Sequence, residues 1–161
     1  MNSDILESYL LYRTFKIQAA TTGVVNLSDE KWFYPTTLLP LTNLLLEQEK
    51  QITLIKPKNV AVRAYFDGVT TNVPGVYPYS GIPVVKLPSD KNACEPMLAK
   101  LYQTYEELNK GGDKDAFAYI IGELTTNIYE HANFINALIM AQAYTKKGFL
   151  EVCLFDNGIS I

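Results

Sequence analysis

The sequence is poor in the residues that most often build metal centres and nucleophilic catalytic sites. Its 161 residues include one histidine, His131, and two cysteines, Cys94 and Cys153. The cysteines lie far apart and match no metal-ligand spacing, so we expect two free thiols in a reducing compartment and no zinc site. No G-x-S-x-G pattern occurs, which argues against a serine hydrolase.

The chain also lacks a strong excess of charge and a long apolar run. Its formal net charge is −3 and its pI is about 5.2, which gives no electrostatic reason to expect nucleic acid or an anionic membrane as a partner. No apolar run reaches the roughly 18 residues of a membrane span, and the opening MNSDILESYL has no basic signal-peptide region. With 48% hydrophobic and 19% charged residues, the composition is that of a globular protein, which we expect to be cytoplasmic.

Three short apolar segments of the first half have the character of β-strands. They lie in TTGVVNLSDE at residues 21–30, in QITLIKP up to Pro57, and in IPVVKLPSD up to Pro88. Each is rich in β-branched residues or leucine, and each is stopped by a proline or a polar cluster. Residues 1–20 fit either a short amphipathic helix or an edge strand, and the sequence does not decide between them.

Two helices are predicted between these strands. The first is a leucine-rich segment that begins near Thr37, where Thr36 or Thr37 can act as the N-cap and Pro40 fits the first turn. The second begins after an Asn59 cap and ends at Gly68. The alternation of strands and helices predicts an α/β layer built on a mostly parallel sheet.

The sequence changes character near Ser89–Asn92, and we place the domain boundary there. The first domain is then residues 1–90 and the second domain is residues 91–161. The second domain is predicted to be of the α+β type, because two longer helical segments precede two strands.

The first helical segment of the second domain stops at Gly111-Gly112. The next helix begins with Asp113 or Asp115 as its cap, and its predicted inner side consists of Phe117, Ile120, Ile121, Leu124 and Ile128. A β-hairpin is predicted to follow, with strands Ala137–Tyr144 and Phe149–Phe155. A helix is the alternative for the first of these strands, because ALIMAQA has little intrinsic strand preference.

A polar stripe runs along the second of these helices, in the segment GELTTNIYEHANF. Glu123, Asn127 and His131 are spaced four residues apart, so they lie on one side of the helix. A solvent-facing stripe is the plain alternative to a binding site, because polar helix faces are common and the helix dipole favours a histidine in the last turn. The last strand runs directly into Asp156-Asn157-Gly158, and an acid followed by glycine at a strand end is typical of a ligand-binding turn.

These two segments resemble the N box and the G1 box of the GHKL ATP-binding fold, which occurs in gyrase, Hsp90, MutL and the histidine kinases with their serine-kinase relatives. ELTTNIYEH matches the E-x-x-x-N pattern of the N box, with a basic position one turn later, and DNGIS matches the D-x-G-x-G pattern of the G1 box. The order of N box, hairpin and G1 box is also that of the family. The resemblance covers about residues 92–161 and implies an incomplete GHKL α/β sandwich.

The resemblance implies a role for each matching residue, with ATP and Mg²⁺ as cofactors. Asn127 matches the amide that coordinates the Mg²⁺ bridging the nucleotide phosphates. Glu123 matches the carboxylate that orients or deprotonates the attacking water or hydroxyl, or else only shapes the Mg²⁺ site. His131 matches a basic position that often faces a phosphate. Asp156 matches the acid that accepts a hydrogen bond from the adenine amine, and Gly158 matches the glycine that lets the chain pass close under the purine.

The sequence departs from the family pattern in two ways. Ser160 stands where the G1 pattern has its second glycine, and the chain stops at Ile161, before the glycine-rich lid and the remaining strands. We therefore expect a truncated piece of a longer protein, with weak or no catalysis of its own. The edge of such a half-built sheet would invite pairing with a second copy of the chain as a homodimer.

The first domain is similar in layout to STAS domains, the fold of the anti-sigma-factor antagonists. Those domains have a strand, a loop with a phosphorylatable Ser or Thr that opens a leucine-rich helix, a further strand and a further helix. Thr36 and Thr37 occupy the helix-opening position, although a hydroxyl there is favoured as a simple helix cap. In bacterial partner-switching systems a GHKL serine kinase phosphorylates a STAS protein, so the resemblance implies a partner regulatory protein.

Together these patterns predict a cytoplasmic signalling protein with a STAS-like domain followed by a GHKL nucleotide-binding domain. Its reaction, if it has one, would be Mg–ATP-dependent phosphoryl transfer to a protein or ATP hydrolysis. Autophosphorylation on a histidine is not expected, because the single histidine lies inside the N box. The alternative is a non-catalytic interaction module of a partner-switching pathway, in which the polar stripe supports a partner-binding face.

Overall fold

The computed structural model of the chain describes residues 2–47, 51–71, 81–108 and 113–158. The chain forms two compact units, Met1–Tyr79 and Ser80–Ile161. Both units contain helices and strands, so the predicted mixed α/β class is confirmed. None of the described helices is both long and apolar enough to cross a membrane. The predicted helix end at Gly111-Gly112 and the position of Ser160 lie outside the described residues.

The first unit has the order helix, strand, helix, strand, helix. Its elements are α1 (Asn2–Thr22), β1 (Val24–Asn26), α2 (Pro35–Glu47), β2 (Thr53–Ile55) and α3 (Val60–Thr70). Strands β1 and β2 are parallel neighbours, with Val25 opposite Leu54. The two predicted strands and their parallel arrangement are therefore confirmed.

The segment that the sequence left undecided is the long helix α1. It buries Ser8, Phe15 and Ala19, which recur at helical spacing, and it contacts α2 and β1. The opposite side exposes several large apolar side chains, namely Ile5, Leu6, Tyr9, Leu10 and Ile17. Apolar residues thus occur on both sides of α1, and this hides the 3.6-residue period in the sequence.

Helix α2 begins earlier than predicted. The carbonyl oxygen of Tyr34 accepts a hydrogen bond from Leu38 N at 3.0 Å, so the first helical residue is Pro35. Proline suits this position because the first N–H groups of a helix have no partner within the helix. Thr36 and Thr37 therefore lie inside the first turn and not at the cap, and Pro40 lies beyond the first turn, so these three placements were wrong.

Helix α3 begins as predicted but ends later. The side-chain oxygen of Asn59 accepts hydrogen bonds from Ala61 N at 2.9 Å and from Val62 N at 3.2 Å, which confirms Asn59 as the N-cap. The predicted end at Gly68 was wrong, because Gly68 keeps a helical conformation and α3 continues to Thr70. A glycine inside a helix is tolerated at a cost of about 1 kcal/mol relative to alanine.

The second unit places two helices on a three-stranded antiparallel sheet. Its elements are β3 (Gly81–Lys86), a 3₁₀ turn (Lys91–Cys94), α4 (Glu95–Leu108), α5 (Lys114–His131), β4 (Ala137–Tyr144) and β5 (Phe149–Asp156). The strand order is β3-β4-β5, so β4 is central. The apolar core under α4 and α5 consists of Ile82, Leu87, Cys94, Leu101, Ile121, Ile128, Ala137, Ile139 and Ala141.

Strand β3 was predicted as the last strand of a parallel sheet in the first domain, and this prediction was wrong. β3 pairs antiparallel with β4 instead, with Ile82 opposite Ala141 and Val85 opposite Ile139. Ile82 joins the core of the second unit, and the chain divides between Tyr79 and Ser80, not near Ser89–Asn92. A short apolar run does not reveal its partner, because strand pairing is a long-range property.

The β4–β5 hairpin is confirmed within one residue of its predicted bounds. Tyr144 and Phe149 are the last pair of the ladder before the turn. The N–H groups of Lys147 and Gly148 both donate to Tyr144 O, at 2.8 and 2.9 Å, and Gly148 takes the left-handed φ of 70° that closes the turn. The alternative helix for the first strand is excluded.

The buried side of α5 differs from the predicted one. Ile121, Thr125 and Ile128 are buried, whereas Ile120 and Leu124 are 54% and 45% exposed. The apolar residues of this helix cover more than half of its circumference, so their pattern did not show which side faces the sheet.

Candidate functional site

The candidate site begins on the exposed side of α5. The side chain of Asp113 accepts a hydrogen bond from Ala116 N at 3.0 Å and caps the helix. Ile121, Thr125 and Ile128 face inward, so the opposite side of α5 presents Glu123, Asn127 and His131 to solvent. At 1.5 Å of rise per residue, these three side chains extend over about 12 Å along the helix. The predicted polar stripe is therefore an open surface.

The chain leaves α5 through a short loop that turns back to β4. Ala132 caps the helix with a hydrogen bond from its N–H to Ile128 O at 3.2 Å. Asn133 then takes a positive φ of 43°, a conformation that asparagine adopts more easily than most residues. Phe134 returns to the core and contacts the Tyr129 ring edge-on, with the ring centroids 5.4 Å apart. The first half of the loop is therefore held in place by its contacts with the last two turns of α5.

The other half of this loop is fastened to the turn that follows β5. The side-chain oxygen of Asn157 accepts hydrogen bonds from two successive backbone N–H groups, those of Ile135 at 3.1 Å and Asn136 at 2.8 Å. The N–H of Asn157 in turn donates to Asn136 O at 3.1 Å. We call these three hydrogen bonds the Asn157 clasp. They hold the segment after β5 against the segment after α5.

Gly158 brings the same two segments into direct backbone contact. A Cβ atom built on Gly158 would overlap the carbonyl group of Ala132 and would lie 2.7 Å from Ala132 Cβ. Real Cβ atoms do not approach backbone this closely, so this position requires glycine for a reason inside the protein. Since Ala132 directly follows His131, the contact places the turn after β5 next to the last turn of α5.

Asp156 ends β5 in an exposed position. One of its carboxylate oxygens accepts a hydrogen bond from Gly158 N at 3.0 Å, which forms a tight turn over Asn157. The carboxylate as a whole is solvent-accessible, and its backbone pairs with Ala137 at the start of β4. Asp156 can therefore accept a further hydrogen bond from a ligand above the end of the sheet.

The rear of α5 is fixed by a partly buried polar contact. The hydroxyl of Tyr129 donates to Pro88 O at 2.6 Å, and it lies 2.7 Å from the Cys94 sulfur. Burial, and next the hydrogen bond to Cys94, raises the pKa of Tyr129. These contacts tie α5 to the segment after β3, so the polar stripe is carried on a helix whose rotation is restricted.

The donor atoms of α5 suit a hard cation. Among the described residues, no group of three or more histidine, cysteine, aspartate or glutamate side chains could hold a metal ion. Glu123 and Asn127 offer oxygen ligands one helical turn apart, and Mg²⁺ accepts such ligands together with waters and phosphate oxygens. Glu123 and Asn127 therefore fit a Mg²⁺ that takes most of its ligands from water or from a bound phosphate.

The structure brings some of the predicted site residues together. Gly158 contacts the residue after His131, and Asp156 forms the same turn, while Glu123 and Asn127 lie further along the exposed side of α5. Sequence reasoning missed Asn157. Its position between the matched residues of the G1 pattern, and the polar loop after the N box, were the signals that could have indicated a contact.

The two threonines of α2 that are candidate phosphoacceptors have hydroxyls that are shielded from solvent. Thr37 is 1% exposed, and its hydroxyl donates to Ser8 O of α1 at 2.9 Å. The hydroxyl oxygen of Thr36 is also shielded from solvent and has no hydrogen-bond partner among the described atoms. Neither hydroxyl is accessible to a protein kinase in this conformation.

Comparisons of the chain with protein-family models, with curated proteins and with solved structures find no match. The functional assignment therefore depends on the two motifs and on the geometry described above.

Proposed function

We propose that the second unit is a nucleotide-binding module of the GHKL type that takes Mg–ATP. The observation that carries this proposal is the contact between the end of α5 and the end of β5, made by Gly158 against Ala132 and by the Asn157 clasp. Two sequence motifs that each have weak specificity are thereby joined at one end of one unit. Such proximity is what a single ligand spanning both motifs requires.

Each matched residue then has a role that suits its position. The exposed Asp156 carboxylate accepts a hydrogen bond from the adenine amine, and the amide oxygen of Asn127 provides a ligand for Mg²⁺. Mg²⁺, when bound, would neutralise charge on the phosphate oxygens. Glu123 lies one turn before Asn127 and can orient a water or hydroxyl near the phosphates. His131 lies in the last turn of α5 and, when protonated, favours a nearby phosphate.

We propose further that the first unit is a STAS-like module and that the protein acts in signalling, with phosphoryl transfer to a partner regulatory protein. The order of elements from β1 to α3, the parallel pair β1–β2 and the leucine-rich α2 support this proposal. Thr36 and Thr37 are not assigned as phosphoacceptors of the first unit, because both hydroxyls are shielded from solvent. The accepting hydroxyl is therefore assigned to a partner protein.

A second candidate function is a non-catalytic interaction module. It is favoured by the apolar residues beside the polar stripe, because Ile120, Leu124 and Ile135 are 54%, 45% and 79% exposed. Exposed apolar side chains next to polar ones are common at protein interfaces. This candidate would account for the same surface without a nucleotide.

Calorimetric titration with Mg²⁺ and a non-hydrolysable ATP analogue tests the proposal. We expect the chain to bind the analogue and the Asp156→Asn variant to bind at least tenfold more weakly, because a hydrogen bond to a charged group contributes about 1.5–3 kcal/mol. The matched control is Asp115→Asn, which removes the same charge from the exposed first turn of α5. Absence of binding by a folded chain would contradict the nucleotide proposal and favour the interaction module. If the Asp156→Asn variant bound the analogue as tightly as the original chain, the proposed position of adenine at the end of β5 would be wrong.

A further inference from the structure

We infer that Asn157 is a positioning residue that couples the adenine side of the proposed site to its phosphate side. The inference rests on the proposed nucleotide function, and it deepens that function by naming a residue that neither sequence motif specifies. Asn157 itself is not assigned to the ligand. It acts through Asp156 and Gly158, which flank it, and through the loop that ends α5.

The hydrogen bonds of the Asn157 clasp run in both directions between the two segments. One side-chain oxygen accepts from two consecutive backbone N–H groups, and the backbone N–H of the same residue donates back to the same loop. Asparagine can make this arrangement because its amide oxygen has two lone pairs. Three hydrogen bonds between two short segments define their relative position more narrowly than one bond would.

The loop side of the clasp is itself anchored. Asn136 is 8% exposed, and its side-chain oxygen accepts a hydrogen bond from Lys86 Nζ of β3 at 2.6 Å. The chain then enters β4 directly, where Ala137 pairs with Asp156. A loop held by β3, by β4 and by Asn157 cannot shift without disturbing the end of the sheet.

The loop couples the two halves of the proposed site because it is joined to α5 on one side and to the turn after β5 on the other. Toward the N-terminus it joins Ala132 and the last turn of α5, about 7.5 Å of helix rise beyond Asn127. Toward the other segment it holds Asp156 and Gly158 in their turn. A ligand that contacts both Asn127 and Asp156 binds more tightly when their separation is already fixed in the free chain, because less ordering is needed on binding.

The first test needs no nucleotide. Amide hydrogen exchange is measured in the free chain, in Asn157→Ala and in Asn157→Asp. We expect Asn157→Ala to exchange about tenfold faster at Ile135, at Asn136 and in the last turn of α5, because loss of the acceptor loosens the loop and the helix end together. Asn157→Asp keeps a side-chain oxygen for both donors and should restore slow exchange. Faster exchange confined to Ile135 and Asn136, or no change, would overturn the coupling.

The second test uses adenosine and the Mg²⁺–ATP analogue as separate probes. We expect Asn157→Ala to weaken binding of both by about tenfold, in the lower range found when a supporting residue around a site is removed. Asn127→Ala should weaken only the Mg²⁺–ATP analogue. Adenosine carries no charge, so Asn157→Asp should bind it as the original chain does. The matched control is Ile135→Ala, which removes an exposed side chain from the same loop and leaves the clasp intact.

The two tests separate the inference from the proposed function. If the original chain binds neither probe, the nucleotide function fails, while the exchange pattern of the free chain still decides whether Asn157 couples α5 to β5. If the chain binds both probes but Asn157→Ala binds them equally well, the nucleotide function stands and the positioning role of Asn157 is overturned.

Discussion

Helices α2 and α5 both carry polar residues that are candidates for function, but α2 buries its polar side chains whereas α5 exposes them. In α2 the polar side chains of Thr37, Thr42 and Asn43 are buried among leucines. In α5 the polar side chains of Glu123, Asn127 and His131 are exposed, while Thr125 alone among its inward residues is polar. The first arrangement serves the fold, because the hydroxyls of Thr37 and Thr42 donate to Ser8 O and Leu38 O inside the protein. The second leaves donors and acceptors free for a ligand.

The same comparison predicts that substitutions in the two helices affect different properties of the protein. Thr37 uses its hydroxyl to join α2 to α1 through Ser8 O, so removing that hydroxyl should change stability. Glu123 and Asn127 lie on a surface, so removing their side chains should change binding with little effect on stability. The predictions below examine these expectations, beginning with the largest effect.

The largest effect is expected where α5 meets the turn after β5. Gly158→Ala places a Cβ against the carbonyl group of Ala132, and we expect a loss of about 3 kcal/mol in the free energy of unfolding of the second unit, since backbone cannot move aside as a side chain can. Urea unfolding followed by circular dichroism measures it. The control is Gly122→Ala inside α5, where a Cβ meets nothing within 4 Å and should stabilise the helix by about 0.5–1 kcal/mol. Equal stability of the two variants would contradict the contact between the segments.

Local signals were enough to predict several parts of this molecule. Asn59 was predicted as a cap, and Asp113 was one of two candidates for the other, because a capping side chain bonds to N–H groups two or three residues away. The hairpin was recognised because its turn and both strands are contiguous, with Gly148 at the residue that needs a positive φ. In each case the residues that decide the structure are close together in sequence.

Long-range contacts account for what the sequence did not predict. The partner of β3 is β4, which lies about sixty residues later by the pairing of Ile82 with Ala141. The exposure of Ile120 and Leu124 depends on which side of α5 meets the sheet. The Asn157 clasp joins residues about twenty positions apart, Ile135 and Asn136 on one side and Asn157 on the other. The side-chain types of the candidate site could be predicted, but the connection between its two halves could not.

The sheet of the second unit should also respond to alkaline pH, through Cys153, which lies opposite Met140 on the face turned away from α5. Burial raises the pKa of the Cys153 thiol on β5 from 9.0 to about 12. The folded thiol therefore stays neutral while the unfolded one ionises, so stability is complete below about pH 9 and is lost progressively as the pH rises toward 12.

The variant Cys153→Ala isolates this contribution. We expect the fall in unfolding free energy between pH 9 and 11 to be shallower in the variant, by up to about 1.4 kcal/mol per pH unit. Below pH 8 the difference between the two chains should be constant. Parallel curves across the whole range would show that the thiol titrates alike in the folded and unfolded chain.

Neighbouring threonines of α2 should give small effects of opposite sign. Thr37→Val removes the hydrogen bond to Ser8 O, and we expect a loss of about 1 kcal/mol in the free energy of unfolding. Thr36→Val removes a shielded hydroxyl oxygen that has no partner among the described atoms, so it should be neutral or stabilising by up to about 1 kcal/mol.

Thermal unfolding of the two valine variants, with Thr14→Val on the exposed side of α1 as the control, measures the difference. A loss of the same size for Thr36→Val and Thr37→Val would contradict the assignment of the buried hydrogen bond to Thr37 alone. It would also remove the distinction drawn between a satisfied and an unsatisfied hydroxyl in α2.

The central claim is that the exposed side of α5 and the turn after β5 form one ligand site. Titration of the ¹⁵N-labelled chain with Mg²⁺ and a non-hydrolysable ATP analogue, followed by amide chemical shifts, tests it most directly. The account predicts that residues 123–132 and residues 156–158 shift together and saturate with a single Kd, because one ligand contacts both segments. Shifts confined to one segment, or two segments that saturate with different Kd values, would contradict it.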